Sequence, residues 1–357
     1  MRKYYLDNIR WSTVIIVVVY HVIYMFNGAA SAGIAGPFRE VQYQDTVQYL
    51  LYPWFMILLF IVSGMCAKYY LDSHTEKEFI RARTTKLLVP STVGLLVFQW
   101  IQGFVNMKLG GAFEQMVDVP KPILFLIMCL SGIGVLWYIQ MLWLFSVLLI
   151  PLRKIEKGRL SDICEKANVT VLVLLGIAVW GAAQILNTPV VTVYRFGVYG
   201  LSFLLGYFIF SHDSVIDRLA EISAFFIAAA VVLGALYTIF YFGENYAAEP
   251  AINCPLAMAY AWIACLAILG GMKRWGNRQT KFTEFMTKKS WGLYVFHYLP
   301  LSVCGLLLKN SGLPPVLIYF ITAIAAFAGG FALYEIISRI PFVRWCVLGI
   351  KKKKETK

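Results

Sequence analysis

The chain has 357 residues, of which 60% are hydrophobic and only 14% charged, with a formal net charge of +13. A soluble domain carries about 25% charged residues, so this composition excludes both a water-soluble globular protein and a disordered chain. The basic excess sits in short segments beside apolar runs, which points to lipid headgroups and membrane orientation rather than to nucleic acid.

A membrane-spanning helix needs about 20 mostly apolar residues. Ten such stretches follow one another, near 11–28, 50–68, 87–105, 123–150, 169–186, 195–211, 219–242, 252–271, 290–308 and 314–338. The first carries His21 and is followed by further spans, so it is expected to be a retained helix, although Ala29 and Ala30 come near a signal-peptide cleavage pattern. The fourth is too long for one straight span. Ser131-Gly132-Ile133-Gly134 breaks it, which predicts a short buried or re-entrant piece and then a span from Val135 to Ile150. With the N-terminus in the cytoplasm, 27 of the 32 Lys and Arg residues fall on the inner side, as the positive-inside rule requires. Arg195 is counted among the few outer cations. The expected architecture is an all-α polytopic membrane protein of about ten transmembrane helices with both termini cytoplasmic. Residues 1–350 form one transmembrane domain, and 351–357 a basic tail whose Lys351–Lys354 run anchors to lipid. The seven cysteines (Cys66, Cys129, Cys164, Cys254, Cys265, Cys304 and Cys346) are scattered and contain no CxxC pair, so no zinc site or redox pair is expected.

Ionisable residues inside spans are functional candidates because lipid solvates them poorly. His21 lies eleven residues after Arg10, roughly 16 Å along a helix, and His297 lies eight after Lys289, roughly 12 Å. The two histidines are therefore expected at similar depth. Histidine suits acid–base work near neutral pH, while a histidine bonded to a neighbouring helix is the plainer alternative. Glu335 is expected to pair with Arg339, four residues on. At the inner end of the third span, Phe79 to Pro90 carries Arg81, Arg83 and Lys86. Arg83 and Lys86 are three apart and share a helix face, and such a pair can grip phosphate.

Five segments in order then resemble those of one family. Leu6-Asp7-Asn8-Ile9-Arg10-Trp11, with His21 closing the apolar run, is similar to an LDGLRG-type opening. Leu59-Phe60-Ile61-Val62-Ser63-Gly64 is similar to FFVLSG. Phe79 to Pro90 is similar to FxxRRxxRLxP, Leu136-Trp137-Tyr138-Ile139 to a WFL element, and Ser290 to His297 to SYxIYLFH. The chain resembles the acyltransferase-3 family of integral membrane acyltransferases. Asn8 and Trp11 stand where the opening usually has glycines, and Lys86 where an Arg is common.

The resemblance implies a bacterial cytoplasmic-membrane enzyme. It would move an acyl group, acetyl ahead of succinyl, from cytoplasmic acyl-coenzyme A to a hydroxyl of a cell-surface or lipid-linked glycan or a glycosylated metabolite. Acyl-coenzyme A is then a co-substrate; no bound cofactor and no metal are expected. The implied roles follow the motifs. Arg81, Arg83 and Lys86 hold donor phosphates. Arg10 does the same or positions the donor chain, and Asp7 orients Arg10. His21 is the general base or transiently carries the acyl group. His297 orients the donor or assists His21. Trp137 and Tyr138, toward the outer end of their span, stack on an acceptor sugar. Ser63 with Gly64 is expected to serve helix packing. An exporter of polysaccharide or small molecules is the alternative. A proton-coupled carrier usually needs buried carboxylates, and this chain has almost none away from the interfaces.

Overall fold

The computed structural model describes residues 2–29, 41–188 and 193–350. The predicted tail 351–357 and residues 30–40 of the predicted outer loop lie outside these. In chain order the helices are α1 (Tyr4–Tyr24), α2 (Thr46–Leu71), α3 (Glu76–Leu109), α4 (Lys121–Ser131), α5 (Trp137–Glu156), α6 (Arg159–Cys164), α7 (Val169–Ala183), α8 (Phe196–Phe210), α9 (Asp213–Glu221), α10 (Ser223–Tyr241), α11 (Pro255–Trp275), α12 (Lys281–Phe296), α13 (Tyr298–Leu308), α14 (Pro315–Arg339) and α15 (Pro341–Leu348). Among the described residues the only strand-like pairing is a single bridge between Asn187 and Arg195. The protein is an all-α polytopic membrane protein.

Helix length and apolarity account for seven or eight of the expected ten spans. Seven helices (α1, α2, α3, α5, α10, α11 and α14) are long and apolar enough to cross a bilayer, and α12 with α13 makes an eighth if that pair, bent by 48°, is one span. The other two predicted spans became α7 and α8, each about 22 Å long, short of a ~30 Å hydrocarbon core. The predicted windows were themselves short: α7 fills 169–183 of 169–186, and α8 fills 196–210 of 195–211. The predicted break after Ser131 is present, with α4 ending there and α5 starting at Trp137.

Helix starts are locally encoded. Before α3 the Thr75 hydroxyl accepts the Glu78 N–H while the Glu78 carboxylate accepts the Thr75 N–H, a reciprocal cap. Asn168 caps α7 through Val171 N–H. In α3 the backbone widens over Thr84–Leu88, just before Pro90, whose ring offers no N–H and crowds the carbonyl four residues back.

Ion pairs collect at one end of the bundle. Lys3–Asp213 (2.5 Å), Lys154–Glu76 (3.2 Å), Lys273–Asp217 (2.9 Å) and Lys289–Glu335 (2.8 Å) tie the start of α1 and the end of α11 to α9, the end of α5 to the start of α3, and α12 to the end of α14. This is the end assigned to the cytoplasm above. Glu335 also reaches Arg339 at 2.9 Å. The peripheral helices α10 and α14 expose large apolar side chains, among them Phe225, Val231, Ile239, Phe320 and Ile324, as a lipid-facing surface does.

One of the tightest crossings is between α2 and α8. A Cβ on Gly64 would lie 2.0 Å from the Phe203 carbonyl oxygen, and one on Gly206 would lie 2.0 Å from that of Ile61. Two glycines thus let two backbones touch, the small-residue packing that membrane helices favour. Ser63, on the preceding position, points elsewhere: its hydroxyl meets Tyr138.

Candidate functional site

His21 sits on the fifth turn of α1, and His297 at the bend between α12 and α13. The structure brings these two side chains together, with His21 Nδ1 lying 3.1 Å from His297 Nε2. The His297 ring is fully buried, and its Nδ1 lies 3.0 Å from the Leu293 carbonyl oxygen and 2.9 Å from that of Tyr294. Carbonyl oxygens only accept, so His297 Nδ1 carries the proton and Nε2 is an acceptor. With both rings neutral, His21 Nδ1–H must donate to it. Among the described residues no protein group pairs with the His21 Nε2 lone pair. Of the two roles expected of His297, orienting the donor or assisting His21, its place 3.1 Å behind His21 fits the second. Replacing His297 with Phe, which keeps the bulk and removes both nitrogens, is expected to lower turnover about 10²-fold with donor affinity retained. Steady-state kinetics with a separate donor-binding titration checks this.

His21 lines a cavity of about 350 Å³. Its walls are unusually phenolic: Tyr20, Tyr24, Tyr52, Tyr138, Tyr199, Tyr294 and Tyr298 all face it, with Phe55, Met56 and Trp137 between them. Asn245, Ala247 and Ala248 come from the connection between α10 and α11, and Val193 from the loop before α8. These loops lie at the end opposite the ion pairs, so the chamber belongs to the outer half of the bundle. The α10–α11 connection is fastened at both ends. Tyr49 Oη donates to the Glu244 carbonyl at 2.6 Å and accepts from the Gly243 N–H. At the other end the Arg195 guanidinium donates to Asn253 Oδ1 at 2.5 Å, while Trp180 and Gln184 donate to the Asn253 carbonyl. Arg195, counted from sequence as an outer charge, is 4% exposed.

Below the chamber, at the cytoplasmic end, Arg10, Arg83 and Lys86 lie within electrostatic reach of one another. Among the described residues neither Arg83 nor Lys86 hydrogen-bonds or ion-pairs with a protein group. The Arg83 guanidinium lies 5.0 Å from the Phe79 ring centroid. Arg10 meets Asp7 only at 3.8 Å, because the Asp7 carboxylate is taken by Arg2 at 2.8 Å. Asp7 is thus shared: Arg2 takes Oδ2, while the expected Asp7–Arg10 pair forms on Oδ1 as the longer of the two. Arg81 is exposed and stays out of the cluster: two residues from Arg83 on a helix places it on the opposite face. Lys86 falls in the widened turn of α3 and is exposed, so the face it shares with Arg83 is less exact than ideal helix spacing implies.

Tyr138 joins the two halves. Its ring lines the chamber, but its hydroxyl turns toward α2, 2.8 Å from Ser63 Oγ, and feels the charges of both Arg10 and Arg83. Trp137 stays in the chamber wall, 5.7 Å from the Tyr199 ring centre. Sequence reasoning missed the other six tyrosines. A signal was present: Val17, Tyr20, His21 and Tyr24 share one face of α1, and Tyr294, His297 and Tyr298 repeat that spacing across the α12–α13 bend.

A polytopic helical bundle with a histidine pair beside a tyrosine-lined chamber, and Arg83 and Lys86 beneath it, is the class of protein that fold and site define. The sequence profile of the acyltransferase-3 family, described as an acyltransferase domain, matches residues 3–335. The chain belongs to that family of acyltransferases and is a multi-pass membrane protein. No curated protein and no solved structure matches it.

Proposed function

We propose that the protein transfers an acyl group from cytoplasmic acyl-coenzyme A to a hydroxyl of a glycan, a glycolipid or a glycosylated metabolite held in the outer chamber. Acetyl is favoured over succinyl, and the site of action is a bacterial cytoplasmic membrane with both chain termini inside. One observation carries this: an oriented imidazole with a free Nε2 lone pair lines a sugar-sized chamber above Arg83 and Lys86, which among the described residues have no protein counter-ion. Coenzyme A is polyanionic, and such cations suit its phosphates. Arg10, Arg83 and Lys86 would hold the donor with its thioester pointing up the bundle, and lipid surrounds the whole. Trp137 and the chamber tyrosines offer stacking faces and hydroxyls suited to a sugar.

In the reaction, His21 Nε2 takes the acceptor hydroxyl proton while the oxygen bonds to the thioester carbon. The tetrahedral intermediate collapses with cleavage of the C–S bond, and the coenzyme A thiolate recovers the proton from the His21 imidazolium. His297 accepts from His21 Nδ1–H throughout and stabilises the imidazolium. The test is turnover of acetyl- and succinyl-coenzyme A by purified protein in detergent, followed by thiol release. Arg83→Ala is expected to raise the donor KM about 10–100-fold, the loss of one or two charge-assisted hydrogen bonds to phosphate, with kcat much less affected. Wild-type protein that neither binds nor consumes either donor would overturn the proposal.

A further inference from the structure

We propose that the Tyr138 hydroxyl is the oxyanion donor of the reaction, giving a hydrogen bond to the carbonyl oxygen of the donor thioester as that carbon becomes tetrahedral. This rests on acyl transfer from a thioester, as proposed above.

Acyl transfer places negative charge on the former carbonyl oxygen, and a preorganised donor aimed at that oxygen is usually the largest single catalytic contribution. Seven phenols line the chamber, and their environments separate them. Tyr294 Oη already donates to the Val135 carbonyl. Tyr52 and Tyr199 feel Arg195, on the outer side. Among the chamber tyrosines only Tyr138 feels Arg10 and Arg83, the cations assigned to the donor. The helix that carries Tyr138 also bonds the donor end, since Trp143 donates to Thr84 Oγ1 beside Arg83, and Tyr138 shares the chamber wall with His21, so a thioester reaching from that cluster toward His21 runs along the Tyr138 side.

The hydroxyl is also free to be redirected. It lies 2.8 Å from Ser63 Oγ and 3.4 Å from the Leu59 carbonyl oxygen. The second distance is long for O–H···O, which clusters near 2.7–2.8 Å. With Ser63 Oγ–H donating to Tyr138 Oη, the phenol proton is held only by that long contact and turns to a better acceptor at little cost. Two nearby guanidinium charges favour the negative charge that develops on the acceptor. In the step itself the C=O π pair moves onto oxygen as the acceptor oxygen bonds to carbon, Tyr138 donating a hydrogen bond without losing its proton. The pair then returns as the C–S bond breaks.

The test is Tyr138→Phe, which keeps the ring against Phe60, 4.9 Å away between centroids. With acetyl-coenzyme A, kcat is expected to fall about 10²–10³-fold. Binding of a thioether analogue of the donor that lacks the carbonyl is expected to match wild type, as is the melting midpoint. A kcat within about threefold of wild type, or a loss confined to donor binding, overturns the proposal. Should Tyr138→Phe not yield folded protein, 3-fluorotyrosine at position 138 decides. This near-isosteric, more acidic phenol is expected to raise kcat at neutral pH, and an unchanged kcat overturns the assignment. Failure of the wild type to consume any donor would instead remove the reaction proposed in the preceding section. Wild-type turnover with undiminished Tyr138→Phe removes only the role of Tyr138.

Discussion

His21→Ala is expected to reduce acyl transfer by about 10²–10⁴-fold, the usual contribution of a positioned general base, while donor binding and the fold persist. The reason lies in the hydrogen-bond direction at the histidine pair. The Leu293 and Tyr294 carbonyls fix the proton on His297 Nδ1, His297 Nε2 accepts from His21 Nδ1–H, and Nε2 of His21 is the unprotonated nitrogen that remains. No other imidazole lines the chamber, so nothing substitutes for it. The folded state should tolerate the change. The removed ring borders an existing cavity rather than a packed core, and a water there can meet the exposed His297 Nε2. Thiol release from acetyl-coenzyme A, a donor-binding titration and a melting curve, run on the same preparation, check all three statements. Added imidazole should restore part of the rate, since a chamber of about 350 Å³ enlarged by the lost ring can admit it. Near-wild-type turnover in His21→Ala would sink the assignment of the base.

Gly64→Ala is expected to lower stability by about 3 kcal/mol, the upper range for overpacking, and to cut the yield of monodisperse protein. Alanine in a helix interior normally helps by roughly 1 kcal/mol over glycine, so the predicted sign is opposite to propensity and isolates packing. The added Cβ would meet the Phe203 carbonyl oxygen at 2.0 Å and the Tyr207 nitrogen at 2.8 Å. Both are backbone atoms that cannot rotate away, so α2 and α8 must separate. Gly206→Ala strains the same crossing from the other side, against Ile61, and the double variant should cost less than the two single losses added together. Gly181→Ala is the control. Its Cβ meets nothing within 4 Å, and it should be neutral or stabilising. Melting midpoints in detergent across the set decide the matter, and a Gly64→Ala protein as stable as Gly181→Ala would contradict the crossing.

Much of this organisation is legible in the sequence. Apolar length and the one-sided distribution of Lys and Arg place the helices, because lipid thickness and headgroup charge act on local composition. The equal depth of His21 and His297 follows from counting residues from Arg10 and Lys289. Other features depend on contacts between distant segments, which local spacing does not encode. Arg195 reads as an ordinary loop cation, yet its partner Asn253 lies 58 residues away and buries it. Asp7 has the right spacing for Arg10, but Arg2 competes for it through the chain start. Arg81 is dense in motif yet turned away by helix geometry. The shortness of α7 and α8, by contrast, is already present in their apolar runs, which extend only over 169–186 and 195–211. The proton direction at His297 depends on the bend that brings the Leu293 and Tyr294 carbonyls to its ring. No pattern of residue types states that bend.

The fastening of the α10–α11 connection separates two inheritable properties. Everything assigned to bond making rests on α1, α3, α5 and α12 with its bend, while Asn245, Ala247 and Ala248 roof the chamber from a loop held at its ends by Tyr49 and Asn253 and between them by the buried Tyr246. Loops on a rigid scaffold tolerate substitution and insertion far better than the helices beneath them. Chains with the same helices and a different roof would then perform one chemistry on different acceptors, and grafting residues 244–252 from one such chain to another would exchange acceptor preference while leaving the base and the donor site as they were.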